Sequence, residues 1–273
     1  MGDTPMKDLL AARYGRLPFE PPADPAPEGL RLILDRRVTR RFAAREVEDG
    51  LLNLVLAGAQ SAPSKSDLQQ YSIVVLRDAT TRRRIADSIG TMPWIADAPV
   101  FLLFCADLRR NRAIGERAGR TNRNDNMDSF LNGAVDTALA LGFATMAAEA
   151  LGLGTCPVSY VRNHLDLMRE LASLPDGVFP VAGLALGWPE ARNEISARLP
   201  QEVVVHREAY SDAAPEPIAA YDAARPRAKP RYPNVHGPAP EGCSWSENVA
   251  RQLSVPERAE FRAWLEAHGF ALR

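Results

Sequence analysis

The pattern of hydrophobic and polar positions predicts helices that alternate with a few strands. Leucine and valine recur every three or four residues between 46 and 62, which indicates a helix because one turn takes 3.6 residues. Short apolar runs rich in β-branched and aromatic residues at 71–78 and 98–107 predict buried strands. Strands alternating with helices predict an α/β or α+β fold, in which helices pack on a central sheet. By the same pattern we expect further helices at 8–15, 29–35, 80–90, 163–174, 245–253 and 255–269, and further strands at 155–161 and 177–188.

One long apolar stretch, residues 130–154, is the only segment that suggests a membrane span. It contains Asn132, Asp136 and Glu149, and such polar groups are costly in lipid. We therefore expect a buried helix and no membrane association.

No shift in composition along the chain forces a second domain. Five prolines between 18 and 27 remove backbone donors and favour extended structure. We expect residues 1–29 to form an N-terminal helix and proline-rich arm, and 30–200 to form the core. We expect residues 201–273 to add a C-terminal strap and helices to that same domain.

Composition limits the classes of partner. In 273 residues, 33 Lys and Arg are balanced by 34 Asp and Glu, which gives a net charge of −1. Binding to nucleic acid or to an anionic membrane rewards a large basic excess, so we expect neither. The N-terminus lacks the basic start and apolar core of a signal peptide. Three widely spaced cysteines, Cys105, Cys156 and Cys243, suit reduced thiols, and we expect a cytoplasmic protein.

Common catalytic and metal-binding motifs are absent from the sequence. It has no GxSxG, HExxH or Walker loop, and its four histidines share no metal-ligand spacing. We therefore expect no metal site and no catalytic side chain. If the protein is an enzyme, its chemistry belongs to a bound cofactor.

A cluster of four arginines stands in the segment LDRRVTRRF, residues 34–42. No acid lies between the first and last arginine, so the guanidinium groups repel one another unless an anion lies among them. Three partners remain open at this point: the phosphate of a ligand, carboxylates elsewhere in the chain, or nucleic acid. Forked guanidinium donors suit a phosphate monoester well.

A second polar segment, SAPSKSDLQQ at 61–70, lies between a predicted helix and a predicted strand. Backbone amides and serine side chains in such a loop are free to face a ligand. An ordinary polar loop has the same composition, so this segment alone does not distinguish the two.

Several motifs taken together resemble the FMN-dependent nitroreductase superfamily, in order and in approximate spacing, over about residues 30–270. The closest likeness is to its group of oxygen-insensitive NADPH nitroreductases and NADPH:flavin oxidoreductases. The motifs that carry the resemblance are RRVTRRF, APSKSDLQQYSIVV, VFLLFCAD, AAEALGLGTCPVSYVRN, FPVAGLALGWP, ISARLP, VHREAY and WSENV. The resemblance implies an α+β fold, a three-layer α/β/α sandwich with a mixed central sheet and extended terminal arms.

The resemblance also implies which residues hold FMN. The first arginine motif of the family binds the phosphate and the ribityl chain, which here points to Arg36, Arg37, Val38 and Arg40. A later basic pair reaches the same phosphate, and this chain keeps Arg198 but has serine at 196, where lysine is usual.

In the family the serine-rich loop lies along the flavin ring. The corresponding residues here are Ser64, Lys65, Ser66, Leu68 and Gln69. Asn or an aromatic residue is frequent where this chain has Asp67. A carboxylate there disfavours an anionic reduced flavin, so we expect Asp67 to point away or to pair with Lys65.

A strand after the long helix brings its backbone close to the reactive part of the flavin, usually through a Gly-Gly pair. This chain has Ser159 and Tyr160 at that pair, after Val158. Met92 stands where the closer relatives have a glutamine that touches the flavin ring. These substitutions bear on the choice of substrate.

The function implied is reduction of nitroaromatics, quinones or related small-molecule acceptors by ping-pong hydride transfer through FMN, with NADPH or NADH as donor. The family forms homodimers with FMN at the interface, and the apolar helix is a candidate for that contact. Arg227, Lys229 and Arg231 are candidates for binding the adenosine phosphate of NADPH, or they form a solvated basic loop. Two alternatives remain: a reductase that supplies reduced flavin to a partner, and a flavin-free protein that binds phosphate or nucleic acid through the arginines.

Overall fold

A computed structural model of the chain describes residues 4–17, 19, 21, 27–212, 214–224 and 242–273. The chain divides into two compact units, one of Met1–Arg37 with Asn193–Glu257 and one of Val38–Arg192 with Arg258–Arg273. The described helices are α1 Met6–Tyr14, α2 Glu28–Asp35, α3 Asp49–Gln60, α4 Ala79–Ile89, α5 Trp94–Asp97, α6 Arg109–Arg117, α7 Met127–Ala150, α8 Leu165–Ala172, α9 Gln201–Val204, α10 Pro215–Ala224, α11 Trp245–Leu253 and α12 Phe261–Ala267. The described strands are β1 Tyr71–Leu76, β2 Val100–Asp107, β3 Gly154–Val158 and β4 Val178–Gly187.

The second unit is built on a sheet of these four strands in the order β1-β2-β4-β3, with every neighbouring pair antiparallel. Our prediction of a mixed sheet is therefore wrong for the named strands. The described residues include one parallel pairing outside the strands, an isolated bridge between Val38 and Thr155. The arginine-rich segment meets β3 at that point only, which is too short to form a strand.

The sheet separates two hydrophobic layers, which confirms the α+β fold. Strand β2 is buried along its whole length, and its side chains alternate between the faces as the period of a strand requires. Phe101 and Leu103 pack into a cluster with residues of α4, α5 and α8, whereas Leu102 and Phe104 pack into another with residues of α3 and α7.

The predicted strand at 155–161 is shorter in the structure. It pairs with β4 only as far as Val158, and Ser159–Asn163 form a 3-10 turn. The apolar pattern misled us because Val161 is fully buried although it lies outside the ladder.

Helix α7 packs against α3 and the sheet through one face of small and polar residues, from Gly133 to Ala148. The approach is close: a Cβ at Gly58 of α3 would lie 2.5 Å from the Cβ of Ala147, so only glycine fits there. The opposite face carries exposed apolar side chains at every fourth position: Met127, Leu131, Val135, Leu139 and Phe143. The prediction of a buried helix is thus correct for one face and wrong for the other.

Met127–Ala150 is also the one helix in the described ranges that is long and apolar enough to cross a membrane. In the structure the helix packs against the sheet, and the Asp136 side chain is buried on the face that makes this contact.

In the first unit, α1 packs against α2, and α10 packs against α9 and α11. Ser244 begins α11 because its hydroxyl accepts a hydrogen bond from the Glu247 amide at 3.1 Å. Residues 201–204, with the sequence QEVV, form the short helix α9.

Candidate active site

The first two arginines of the cluster lie at the end of α2 in the first unit, whereas Arg40 belongs to the second unit. Arg37 Nη1 lies 2.9 Å from Asp35 Oδ1, so a carboxylate compensates one of the four charges. Asp35 precedes the first arginine, so the residues between the arginines gave no sign of it. The pair leaves one donor over, since Arg37 Nε is buried and makes no hydrogen bond.

The other arginines predicted to bind phosphate are not neutralised in the described parts of the chain. The side chains of Arg36 and Arg40 make no hydrogen bond or ion pair there, and both are half-buried. Arg198 is exposed, and its Nη1 donates to the carbonyl oxygens of Ser196 and Ala197, each at 3.1 Å. Carbonyl oxygens carry no formal charge, so these guanidinium groups retain the capacity to bind an anion.

The three arginines of the first unit converge on a fourth, Arg13 of α1. The pKa of Arg13 falls to about 10, chiefly because the side chain is buried, and further because Arg198, Arg36 and Arg37 repel its charge. A cluster of like charges is stabilised by a multivalent anion among them. The arrangement therefore suits a phosphate monoester.

The Val38–Thr155 bridge fixes the continuation of the arginine segment against β3. Thr39 N donates to Thr155 O at 2.8 Å, and an added Cβ at Gly154 would lie 2.2 Å from Thr39 Oγ1. Only glycine at 154 lets the two backbones approach so closely. Val38 thus has a structural role through its backbone, and its side chain packs against the core.

The serine-rich loop of the second unit has an unusual backbone. Ser66, Asp67 and Gln69 have φ angles of 51°, 56° and 48°. Each such left-handed residue other than glycine costs on the order of 1 kcal/mol or more and persists only where surrounding contacts enforce it.

The buried carboxylate of Asp136, on α7, enforces this backbone from inside. Its Oδ1 accepts a hydrogen bond from Lys65 N at 3.0 Å, and its Oδ2 accepts from Ser64 Oγ at 2.8 Å and from Gln70 N at 3.1 Å. The side chain is 1% exposed. Buried charges are rare unless they are hydrogen-bonded, and here all three donors come from one loop.

Helix α6 holds the same loop from the other side. Arg110 Nη2 donates to Gln69 O at 2.8 Å and to Tyr71 O at 2.5 Å, and Asn111 Nδ2 donates to Leu68 O at 3.0 Å. The loop is therefore clamped between two helices before any ligand binds.

These contacts determine which polar groups of the predicted loop residues remain available to bind a ligand. Ser64 donates its hydroxyl hydrogen to Asp136 and accepts from Gln69 N at 2.7 Å, so its hydroxyl is used within the protein. Asp67 Oδ1 accepts from Gln69 Nε2 at 2.9 Å. Of the two arrangements we expected, pointing away or pairing with Lys65, the described residues show no ion pair between Asp67 and Lys65. Lys65, Ser66 and Leu68 are exposed.

Ser159 and Tyr160, which stand where the family usually has a Gly-Gly pair, directly follow Val158 at the end of β3. The Val158 side chain is 1% exposed and belongs to the core, so only its backbone can face a ligand. Ser159 is exposed, whereas Tyr160 and Met92 are half-buried and pack against the same hydrophobic cluster. Met92 and Tyr160, 68 positions apart in sequence, thus border the same hydrophobic cluster.

The remaining predicted residues, Arg227, Lys229 and Arg231, lie outside the described residues.

Asp136 and Arg110 are the residues that sequence reasoning missed. An aspartate in an otherwise apolar helix was the available signal for Asp136; we used it only to argue against a membrane span. Arg110 stood in a charged stretch with no distinguishing feature.

The α+β fold, with helices on both faces of the sheet, is the fold expected of the nitroreductase class. Comparison with known proteins agrees. The model of the Nitroreductase family matches residues 33–188, and that of the Nitroreductase family C-terminal domain matches residues 196–273. The chain belongs to the Nitroreductase family.

Two curated relatives and one solved structure illustrate the similarity. The chain is 36% identical over 247 residues to the FMN reductase [NAD(P)H] of Bacillus subtilis (strain 168), an alignment that covers 89% of this chain and 98% of the relative. It is 32% identical over 244 residues to the oxygen-insensitive NADPH nitroreductase of Salmonella typhimurium, with coverage of 89% and 98%. The structure of B. megaterium NfrA2 superposes with a TM-score of 0.81 at 34% identity, covering 91% of this chain and 100% of the other.

Proposed function

We propose that the protein is an FMN-dependent NAD(P)H oxidoreductase that reduces nitroaromatics, quinones or related small-molecule acceptors. The observation that carries the proposal is the convergence of guanidinium groups in the first unit, with one buried donor, Arg37 Nε, that makes no hydrogen bond. Membership of the Nitroreductase family and the names of the relatives support FMN as the anion and NAD(P)H as the donor.

In this proposal Arg36, Arg37, Arg40 and Arg198 bind the phosphate, with Val38 aligning the segment. Charge-assisted hydrogen bonds from guanidinium to phosphate are among the strong ones in proteins. Arg37 Nε, which lacks a hydrogen bond, would gain an acceptor in a phosphate oxygen. The Ser196 position supplies no charge, so the phosphate depends on arginine alone.

The serine-rich loop would hold the flavin ring with the groups that Asp136 leaves free. Ser66 offers an exposed hydroxyl, Lys65 a cation and Leu68 an exposed apolar surface. Ser64 and Gln69 act mainly by shaping the loop, since each hydrogen-bonds within it. A preformed loop binds without a further entropic cost of ordering.

At the end of β3, the backbone of Val158 and the turn at Ser159 and Tyr160 would complete the ring site. Tyr160 and Met92 add apolar surface that excludes water and limits which acceptors fit, while Asp67 is held by Gln69. When bound, FMN supplies the redox chemistry of a ping-pong cycle, taking a hydride from NAD(P)H and passing electrons to the acceptor. No side chain of the chain is required as an acid or base.

A second candidate function is supported by the relative named FMN reductase: supply of reduced flavin to a partner. Steady-state kinetics separate the two, because a nitroreductase shows higher kcat/KM for a nitrofuran or a quinone than for free FMN. Family membership favours either enzyme over a flavin-free protein that binds nucleic acid.

We further propose a cytoplasmic homodimer with FMN at its interface. The exposed stripe of α7 supports this, because it places five large apolar side chains on one helix face: Met127, Leu131, Val135, Leu139 and Phe143. Contiguous apolar patches of that kind mark interaction surfaces. Reduced cysteines at positions 105, 156 and 243 agree with the compartment. Arg227, Lys229 and Arg231 remain our candidates for the NADPH phosphate, and 30–200 our candidate for the FMN-binding core.

The visible absorbance spectrum of the purified protein tests the function. We expect bands of oxidised flavin that bleach on anaerobic addition of NADPH and return with a quinone. A colourless protein that gains no flavin on incubation with FMN, or one that binds RNA in a salt-sensitive manner, would contradict it.

A further inference from the structure

Arg13, in the N-terminal helix α1, is a buried charge that the proposed function does not explain. It is 6% exposed and shares its helix face with the buried Leu9 and Leu10. Arginine is almost never so buried unless its donors are satisfied. The helix precedes residue 33, where the match to the family begins.

The guanidinium group is satisfied by two separate segments. Its Nη2 donates to Leu34 O at 2.6 Å and to Arg36 O at 2.8 Å, and its Nη1 donates to Ser196 O at 3.0 Å. The backbone repeats the link, since Arg198 N donates to Arg13 O at 2.7 Å. Arg13 therefore joins two stretches of chain 160 positions apart.

Each of those stretches carries arginines assigned to the phosphate. Arg36 and Arg37 lie two and three residues after Leu34, and Arg198 lies two residues after Ser196. Because carbonyl oxygens accept every side-chain hydrogen bond that Arg13 donates to the described residues, no acid cancels its charge through them. The next residue, Tyr14, lines a cavity of about 500 Å³ together with Arg198, Tyr221 and Trp245.

We propose that Arg13 is a positioning residue of the flavin phosphate site, which locks the backbones at 34–36 and at 196–198 so that their arginines converge on one anion. The N-terminal helix is then part of the cofactor site and not an appendage. This inference rests on the proposed function, because it assumes that the anion is the phosphate of FMN.

The test compares FMN with riboflavin, which has the same ring and no phosphate. Flavin affinity of the apoprotein is measured by fluorescence quenching for the wild type, Arg13→Gln and Arg13→Lys. We expect Arg13→Gln to lower the affinity for FMN about ten- to a hundredfold, equivalent to one or two charge-assisted hydrogen bonds. The affinity for riboflavin should be unchanged. Arg13→Lys keeps the charge but cannot span both segments, so we expect an intermediate loss.

Arg16→Gln is the matched control, because Arg16 follows the same helix, is exposed and pairs with Glu202. It should bind both flavins as the wild type does. Wild-type affinity for FMN in Arg13→Gln, or an equal loss for FMN and riboflavin, overturns the role of Arg13. If Arg13→Gln does not fold, the same two outcomes in Arg13→Lys decide. A wild type that does not prefer FMN to riboflavin refutes the phosphate site itself, which distinguishes failure of the proposed function from failure of this inference.

Discussion

Replacement of Asp136 by asparagine should release the serine-rich loop while leaving the rest of the fold in place. The carboxylate accepts three hydrogen bonds, two from the Lys65 and Gln70 amides and one from the Ser64 hydroxyl. Asparagine has nearly the same shape but only one accepting oxygen. If that oxygen keeps the Lys65 amide, the new NH2 group faces the Gln70 amide, and two donors meet.

The free-energy cost of Asp136→Asn to the loop follows from these contacts. The Gln70 amide, left without an acceptor, costs about 1–3 kcal/mol. The Ser64 hydroxyl has to turn and accept from the new NH2 group, and the Lys65 bond changes from charge-assisted to neutral; together these two changes add about 1 kcal/mol. The sum, about 2–4 kcal/mol, is similar to the strain of three left-handed residues, at roughly 1 kcal/mol or more each. The loop should therefore relax locally instead of unfolding the whole protein.

Native-state hydrogen exchange is the direct assay. In Asp136→Asn, the amides of Lys65, Gln69 and Gln70 should exchange about 30- to 1000-fold faster than in the wild type, since about 1.4 kcal/mol corresponds to a factor of ten. Amides of β2 should be unchanged. FMN affinity should fall in parallel.

Asp128→Asn provides the matched control, because Asp128 is an exposed aspartate of the same helix that accepts only from Asn132 in the hydrogen bonds described. Unchanged exchange in the loop of Asp136→Asn, or acceleration spread evenly over the sheet, would refute local clamping by this carboxylate.

Three further outcomes are expected. The double variant Arg37→Ala/Arg40→Ala should lose at least about a hundredfold in FMN affinity with an unchanged far-UV circular dichroism spectrum; a purified variant with stoichiometric flavin would contradict the assignment. Leu139→Arg should convert a dimer to monomers in sedimentation experiments, because it places a charge in the exposed α7 stripe; a wild-type monomer or a dimeric variant would contradict the interface. Burial lowers the pKa of His164 below its ordinary value of 6.5. Unfolded chains then bind the proton more readily than folded ones, so stability is lost as pH falls through 6.5. The melting temperature of the wild type should drop more between pH 7 and pH 5 than that of His164→Gln, and equal drops would count against the shift.

The sequence alone determined the class of fold and most of its elements. The spacing of apolar residues identified α3, because local backbone geometry fixes which side chains share a face. Short apolar runs rich in β-branched and aromatic residues identified β1 and β2, and one long apolar stretch identified α7. Motif order identified the family, and charge crowding identified the arginine cluster. These signals are local in sequence, so no knowledge of tertiary contacts was needed.

Only the tertiary structure decided how the site is held. Asp136 lies 66 positions from Gln70, and Arg13 lies 183 positions from Ser196, so neither pairing is visible in any local pattern. The direction of strand pairing likewise depends on which strands become neighbours, which is why our prediction of a mixed sheet failed for the four named strands. Hydrogen bonds between distant residues depend on where the packed elements place their donors and acceptors, and the fold alone sets that placement.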